Sequence, residues 1–96
     1  MIAYIAGKIT GDDNYREKFA LAEEELYSYE SIDTVLNPAT LPETLPNDAA
    51  LKICLAMVEQ ADCIYALADW IKSEGAGIEI AYARYLGKYV MFERRS

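Results

Sequence analysis

The sequence predicts an α/β domain with a flavodoxin-like fold: a three-layer sandwich around a four-stranded parallel sheet in the order 2-1-3-4. Four short apolar runs, rich in β-forming residues, alternate with three stretches in which apolar residues recur at helical spacing. Short connections join them, and such alternation favours a parallel sheet covered by helices on both faces. Because 96 residues suffice for one core, a single domain is expected over residues 1–96.

The four predicted strands are apolar runs bounded by turn residues or charges. In chain order they are residues 2–6, 34–36, 63–67 and 89–92. Gly7 ends the first run, and Asn37 with Pro38 ends the second, because a proline cannot continue a central strand. A surface loop is predicted over residues 39–46, and a polar tail over residues 93–96.

Three helices are predicted between the strands. Capping residues mark the expected starts: Asp12 or Asp13 for the first helix, and Asn47 or Asp48 for the second. The third helix is expected over residues 76–86. The apolar positions of the three helices are Tyr15, Phe19, Ala22, Leu26 and Tyr29; Ala50, Ile53, Cys54, Met57, Val58 and Ala61; and Ile80, Ala83 and Tyr85.

Charge and side-chain inventory exclude several classes of function. The net charge of −7 creates a field that repels nucleic-acid strands and anionic membranes, although local donors can still hold the phosphate of one nucleotide. The chain has no histidine, and its cysteines, Cys54 and Cys63, are interpreted as reduced packing residues. Soft or imidazole metal sites and histidine-activated nucleophiles are therefore excluded, and no cofactor is expected.

Length and hydropathy also bear on location and assembly. No apolar stretch approaches the ~20 residues that span a bilayer, and the N-terminus lacks a signal-peptide layout. A cytoplasmic location is therefore expected. A chain this short leaves much of its surface exposed, so we expect a homodimer or a larger assembly.

A first glycine-containing segment is predicted at the ligand-binding edge of the sheet. Ligands of open parallel sheets bind beyond the carboxyl ends of the strands, near the point where the strand order reverses. Loop 7–11 follows strand one there and offers backbone N–H groups, a hydroxyl and an ammonium to an anion or a sugar. It consists of Gly7, Lys8, Ile9, Thr10 and Gly11. Its glycines are equally consistent with a simple strand-to-helix turn.

A second segment, residues 73–79, follows strand three. Ser73 either caps the third helix or binds a ligand, and Gly75 and Gly77 allow a ligand to approach the backbone closely. Glu79 lies about 100° around the helix from Ile80, at the margin of the buried face. We expect its carboxylate to point inward, although a glutamate there is also typical of a solvated helix surface.

Three further residues are candidates at the same edge. Tyr4 lies in strand one, where a buried hydroxyl needs a partner, and we expect that partner to be the Glu79 carboxylate. Asp69 is either part of the site or a solvated loop acid. Trp70 either walls a base-sized pocket or covers the edge of the sheet.

Four motifs together resemble the nucleoside 2-deoxyribosyltransferase superfamily, and within it the small, often phage- or prophage-borne members called DUF4406. The motifs span nearly the whole chain: Tyr4 to Gly11, Asn37-Pro38-Ala39, Ala61-Asp62, and Asp69-Trp70-x-x-Ser73-x-Gly75-x-Gly77-x-Glu79. The resemblance implies a nucleoside or nucleotide ligand and either deoxyribosyl transfer or hydrolysis of a deoxynucleoside monophosphate.

The resemblance also implies roles for individual residues. Glu79 would be the nucleophile, with Tyr4 beside it, while Ser73 and loop 7–11 would hold the sugar or phosphate and Asn37 would contact the ligand. Active relatives carry an aspartate in the helix before strand three, whereas residues 52–55 here contain no acid. Asp48 or Asp69 could replace it, or the chain could be a binding protein without catalysis.

Overall fold

A four-stranded parallel sheet in the order β2-β1-β3-β4 forms the centre of the structure, a computed structural model that describes residues 1–94. The strands are β1 (Ile2–Ala6), β2 (Thr34–Leu36), β3 (Cys63–Ala66) and β4 (Tyr89–Phe92). The helices between them are α1 (Tyr15–Tyr27), α2 (Asn47–Gln60) and α3 (Glu74–Tyr85), with 3₁₀ turns at Pro38–Thr40 and Trp70–Lys72. The fold class and strand order predicted from the sequence are confirmed.

Each face of the sheet is covered by helix, which explains why the strands read as continuous apolar runs. Along β1, Ala3 and Ile5 point toward the core that contains Phe19 and Leu26 of α1. Tyr4 and Ala6 point the other way, toward a core shared with α2 and α3. The alternation is the ordinary consequence of the two-residue strand period.

Strand order reverses between β1 and β3, because β1 leads through α1 to β2 on one side while β3 lies on the other. The two strands pair in register from Ala3 with Cys63 to Ala6 with Ala66. Their carboxyl ends therefore open side by side, and the loops that follow them meet at this point.

Gly7, immediately after β1, is required by close packing. A Cβ atom there would lie 2.7 Å from Cδ1 of Leu67 and 3.0 Å from its Cβ. Gly7→Ala is therefore expected to cost about 1–3 kcal/mol of unfolding free energy, measured by chemical denaturation.

Gly77→Ala is the matched control for Gly7→Ala. An added Cβ at Gly77 meets nothing within 4 Å, and the residue lies inside α3. Alanine there is expected to raise the unfolding free energy by up to about 1 kcal/mol through helix propensity. Equal stability of Gly7→Ala and the wild type would contradict the packing argument.

The starts of all three helices differ from the sequence prediction. The N-cap of α1 is Asn14 rather than Asp12 or Asp13, although the Asp12 carboxylate accepts a hydrogen bond from the Asn14 N–H at 2.9 Å. Helix α2 begins at Asn47 directly after Pro46, so neither Asn47 nor Asp48 is its cap. Helix α3 begins at Glu74, two residues earlier than predicted, because Ser73 is its N-cap.

Three predicted apolar helix positions are exposed. Tyr29 lies beyond the end of α1, and Ile53 lies beside rather than on the buried stripe of α2. Tyr85 is 85% exposed, because it follows Ala83 by two residues and so lies on the opposite side of α3 from the sheet. The prediction that these three residues belong to the apolar, core-facing sides of their helices was therefore wrong.

Two limits of the predicted elements also shift. Leu67 lies just after β3 rather than within it, and the loop predicted over residues 39–46 begins inside the 3₁₀ turn Pro38–Thr40.

The last two residues of the predicted polar tail, 95 and 96, lie outside the described residues. Across residues 1–94, no helix is both long and apolar enough to cross a membrane.

Candidate active site

A cavity of about 550 Å³ opens beyond the carboxyl end of β1, between α2 and α3. Its volume lies in the range of small-molecule sites. Four parts of the chain line it: the β1 end with the following loop, Pro38, the first half of α2, and the segment from Lys72 into the first half of α3. The residues concerned are Tyr4, Gly7, Lys8, Ile9, Thr10, Pro38, Asn47, Asp48, Ala50, Leu51, Cys54, Lys72, Ser73, Glu74, Gly75, Ala76, Ile78 and Glu79.

Glu79 is the only charged residue that the structure buries among residues 1–94, with 7% of its surface exposed. It belongs to the buried stripe of α3, three residues after Ala76 and one before Ile80. The Tyr4 hydroxyl donates a hydrogen bond of 2.9 Å to its Oε1 atom. The prediction that Glu79 points inward and meets Tyr4 is confirmed, and its remaining exposed surface faces the cavity.

Burial governs the ionisation of this pair. Desolvation raises the pKa of Glu79 to about 7, although the hydrogen bond from Tyr4 and the nearby Cys54 thiol partly oppose it. Burial, reinforced by the nearby Glu79 charge, raises the pKa of Tyr4 well above its ordinary value. Tyr4 is therefore a neutral hydrogen-bond donor at pH 7, while Glu79 keeps its proton to a much higher pH than an ordinary glutamate does.

Cys54 also lines the cavity, which the sequence analysis did not predict. Its interpretation as a reduced packing residue is confirmed, because it is a buried free thiol in the core that also contains Tyr4. Burial raises the pKa of its thiol to about 11, which keeps it protonated. Within α2, Asn47, Ala50 and Cys54 share one face at helical spacing, so this helix presents a stripe to the cavity.

Most of loop 7–11 reaches the cavity. Gly7, Lys8, Ile9 and Thr10 line it, whereas Gly11 does not and instead turns the chain with a φ of +82°. A positive φ of this size favours glycine. The loop therefore both turns the chain and lines the cavity.

The start of α3 forms the wall of the cavity opposite loop 7–11. The Ser73 hydroxyl accepts a hydrogen bond from the Ala76 N–H at 3.1 Å, which establishes it as the helix cap while it also lines the cavity. Gly75 lies beside it in the lining, and Gly77 does not reach the cavity. Lys8 and Lys72 add two cationic side chains to the same lining.

Asp69 does not reach the cavity, because its carboxylate binds the loop behind it. One oxygen accepts from the backbone N–H of Lys8 at 3.1 Å, and the other is paired with Lys18. The Lys18 ammonium also contacts Asp12 and donates to the Lys8 carbonyl at 2.9 Å. This ion cluster ties loop 7–11 to the loop after β3, so Asp69 supports the site from outside.

Two other sequence candidates also lie outside the cavity. The Asn37 side chain accepts from the Ala39 N–H at 2.9 Å and donates to Glu23 at 3.2 Å, which stabilises the turn after β2. The Trp70 ring packs near Phe92, with ring centroids 5.9 Å apart, and contacts the core under α2 and α3. Covering the sheet edge is therefore the interpretation of Trp70 that the structure supports.

Asn47, Asp48 and Lys72 are further lining residues that were not predicted as ligand contacts. The sequence analysis considered Asp48 as a helix cap and as a replacement acid. Their positions depend on how α2 and the 3₁₀ turn Trp70–Lys72 pack around the cavity, which local patterns do not encode. Within residues 1–94, no group of three or more potential metal-ligating side chains lies together.

Comparison with known proteins places the chain in a family. The chain belongs to the family "Domain of unknown function (DUF4406)", which it matches over residues 1–92. Its structure is similar to that of a 2-desoxiribosyltransferase from Leishmania mexicana, with a TM-score of 0.70 and 21% sequence identity. The match covers 95% of this chain but 62% of that longer one, and at this identity it shows the fold alone. A comparison with curated proteins finds no match.

Proposed function

We propose that the chain binds a nucleoside or nucleotide in this cavity and acts on its N-glycosidic bond through Glu79. The observation that carries the proposal is the Glu79 carboxylate itself. It is buried at the floor of a ligand-sized cavity and held by the Tyr4 hydroxyl at 2.9 Å. A structural role would not require a buried carboxylate to face a cavity, since burying a charge is costly.

The proposed chemistry is a double displacement at the anomeric carbon. A carboxylate oxygen of Glu79 forms a bond to that carbon while the bond from carbon to the base nitrogen breaks. The electron pair of the broken bond stays on the base, which takes up a proton. Water or a second base then forms a bond to the same carbon and gives its proton to the group that protonated the first base. The bond from the carbon to Glu79 breaks, its electron pair returns to the carboxylate, and the product is the free sugar or a new nucleoside.

Asp48 is the proposed source of the proton for the leaving base. It lines the cavity from the start of α2, whereas Asp69 is bound to Lys18 and the Lys8 backbone. Its position more than one helical turn from Cys54 keeps it at the rim rather than at the floor beside Glu79.

The sugar or phosphate end of the ligand is assigned to the space between loop 7–11 and the start of α3. Lys8 and Thr10 lie on one side, and the N–H groups of Glu74 and Gly75, which the Ser73 cap does not occupy, lie on the other. Lys72 adds a second positive charge. These groups favour an anionic substituent at this end of the cavity.

Non-catalytic binding of the same ligand class is the second candidate. The observation in its favour is that residues 52–55 contain no acid, so the floor of the cavity presents the thiol of Cys54 to Glu79 instead of a second carboxylate. Such a protein would keep the pocket and its affinity without turnover.

Incubation with a panel of deoxynucleosides and their 5′-monophosphates separates the two candidates. Release of free base, followed by chromatography, is expected for the enzyme. Calorimetric binding without free base would establish the binding protein instead. Neither binding nor base release across the panel would contradict both. The expected homodimer or larger assembly stays a prediction, which light scattering tests.

A further inference from the structure

Lys18, one turn into α1, uses every proton of its ammonium group inside the protein. The ammonium pairs with Asp12 and Asp69 and donates a hydrogen bond of 2.9 Å to the carbonyl oxygen of Lys8. Because an ammonium group has three protons, these three acceptors leave none for a ligand. Lys18 also does not line the cavity. It therefore serves the site through the residues that it holds in place.

The two aspartates complete the network around Lys18. One carboxylate oxygen of Asp69 pairs with Lys18, and the other accepts from the Lys8 N–H at 3.1 Å. One oxygen of Asp12 also pairs with Lys18, and its second accepts from the Asn14 N–H at 2.9 Å. Only 15% of the Lys18 side chain is exposed, so the pairs are partly shielded from water. A shielded network in which each group has a partner favours one geometry.

This network fixes the backbone of Lys8 on both sides. Asp69 binds the Lys8 N–H, and Lys18 binds the Lys8 carbonyl oxygen. The carbonyl of Ile9 is also bound, because it accepts from the Asp12 N–H at 3.1 Å. No peptide bond in the described part of the chain is cis, so the N–H and carbonyl of each peptide point in opposite directions. The Ile9 N–H therefore points away from Lys18.

The Ile9 N–H is a donor without a partner in the protein. Ile9 lines the cavity, while its side chain packs against the core on the α1 side of the sheet. Across residues 1–94, no group accepts a hydrogen bond from its N–H. Backbone donors that are partly buried are normally paired, so an acceptor in the cavity would complete this one.

We propose that Lys18 and Asp69 are positioning residues that aim the Ile9 N–H into the cavity, at an oxygen of the anionic end of the ligand. This inference rests on the proposed function for the kind of ligand, but the orientation of the peptide does not. A rotation of the peptide between Lys8 and Ile9 would present a carbonyl oxygen to the anion and repel it. The network therefore acts on binding of the anionic end and not on the chemistry of Glu79.

The test uses 2-deoxyribose 5-phosphate as the probe, because it carries the sugar and the anion but no base. In the wild type, the NMR signal of the Ile9 amide proton is expected to move downfield when the probe binds. Lys18→Met keeps most of the side chain but removes the ammonium. It is expected to abolish this movement and to raise the Kd of the probe by about tenfold, the effect of losing one hydrogen bond to a charged group.

Lys88→Met is the matched control. Lys88 also donates to a backbone carbonyl, that of Glu59 at 3.0 Å, but it does not line the cavity. This variant loses the same charge, and its Kd for the probe is expected to stay within about twofold of the wild type. Equal losses of affinity in Lys18→Met and Lys88→Met would reduce the effect to net charge and overturn the inference.

Amide hydrogen exchange in the wild type tests the same peptide without any substitution, and it decides the case if Lys18→Met fails to fold. Without the probe, the Lys8 amide is expected to exchange slowly and the Ile9 amide quickly, because only the first has an acceptor. Saturating probe should slow exchange at Ile9 by about tenfold or more. An Ile9 amide that does not respond to the probe would overturn the inference.

The inference and the proposed catalysis fail in different ways. An unchanged Ile9 response and Kd in folded Lys18→Met would overturn the role of Lys18, whether or not the protein releases base from nucleotides. A response at Ile9 that depends on Lys18, together with no base release, would support the positioning network and overturn the proposed catalysis.

Discussion

Glu79→Gln is expected to reduce turnover by about 10³-fold or more, the largest effect of any substitution in the cavity. The carboxamide has nearly the same shape but cannot form the ester with the anomeric carbon. Because the glutamine can still accept from the Tyr4 hydroxyl, the fold and the ligand affinity should remain largely intact. Release of free base in steady state and calorimetric affinity measure the two effects separately.

Glu74→Gln is the control for this substitution. Glu74 also lines the cavity, but it is the exposed first residue of α3. Its loss is expected to change turnover by less than about tenfold, since it removes only a favourable charge at a helix start. If Glu79→Gln retained turnover close to that of Glu74→Gln, the nucleophile would have to be another group.

Mass spectrometry gives an independent view of the same step. A slow substrate should leave the sugar attached, through an ester, to the peptide that contains Glu79 in the wild type. The corresponding peptide of the Glu79→Gln variant should stay unmodified. Attachment at a different peptide would remove Glu79 from the mechanism even if its substitution lowers turnover.

The sheet and the central pair of the site could be predicted from the sequence because each depends on regular periodicity. Apolar runs of four or five residues between amphipathic stretches leave little choice but a parallel sheet with two covered faces. Glu79 follows Ala76 and precedes Ala83 at spacings of three and four residues, which places it with the buried face of α3. Tyr4 then lies on the strand beneath it.

The cavity-lining residues that could not be predicted owe their positions to packing between helices and strands. Cys54 fits an apolar helix face equally well whether or not that face lines a cavity. Its place in the cavity lining appears only when α2 and α3 lie side by side above Tyr4. A sequence pattern predicts which side of a helix is buried, but not which residues of other elements pack against that side.

Side-chain positions in irregular segments were still harder to predict from the sequence. Asp69 and Trp70 lie in a loop and a 3₁₀ turn, where no period fixes the direction of a side chain. Lys18, one turn into α1, determines where the Asp69 carboxylate points, and its charged head was not expected there. Burial opposes the charge of Lys18, but hydrogen bonds to its two aspartate partners outweigh this and raise its pKa. The Lys18 ammonium therefore stays charged, and paired with both aspartates, to a higher pH than an ordinary lysine would.

Stability is expected to fall as pH rises from about 4.5 to 7, through the ionisation of Glu79. Its pKa in the folded state is about 7, against an ordinary value of 4.5. Between these values the folded protein holds a proton that the unfolded chain releases, so each rise in pH favours unfolding. The difference corresponds to about 3 kcal/mol, all of it developed by the time the pH exceeds 7.

Comparison with Glu79→Gln isolates this contribution from those of the other titrating groups. Below pH 4.5 the two proteins should have similar unfolding free energies, because the wild-type carboxyl is then neutral in both states. Above pH 7 the variant should be the more stable by about 3 kcal/mol, measured by denaturant unfolding at closely spaced pH values. Turnover by the wild type should follow the opposite course and rise through pH 7, because the attacking carboxylate must be ionised. A stability difference that stays constant between pH 4 and 8 would show that Glu79 titrates normally, and would remove the buried carboxylate on which the proposed chemistry depends.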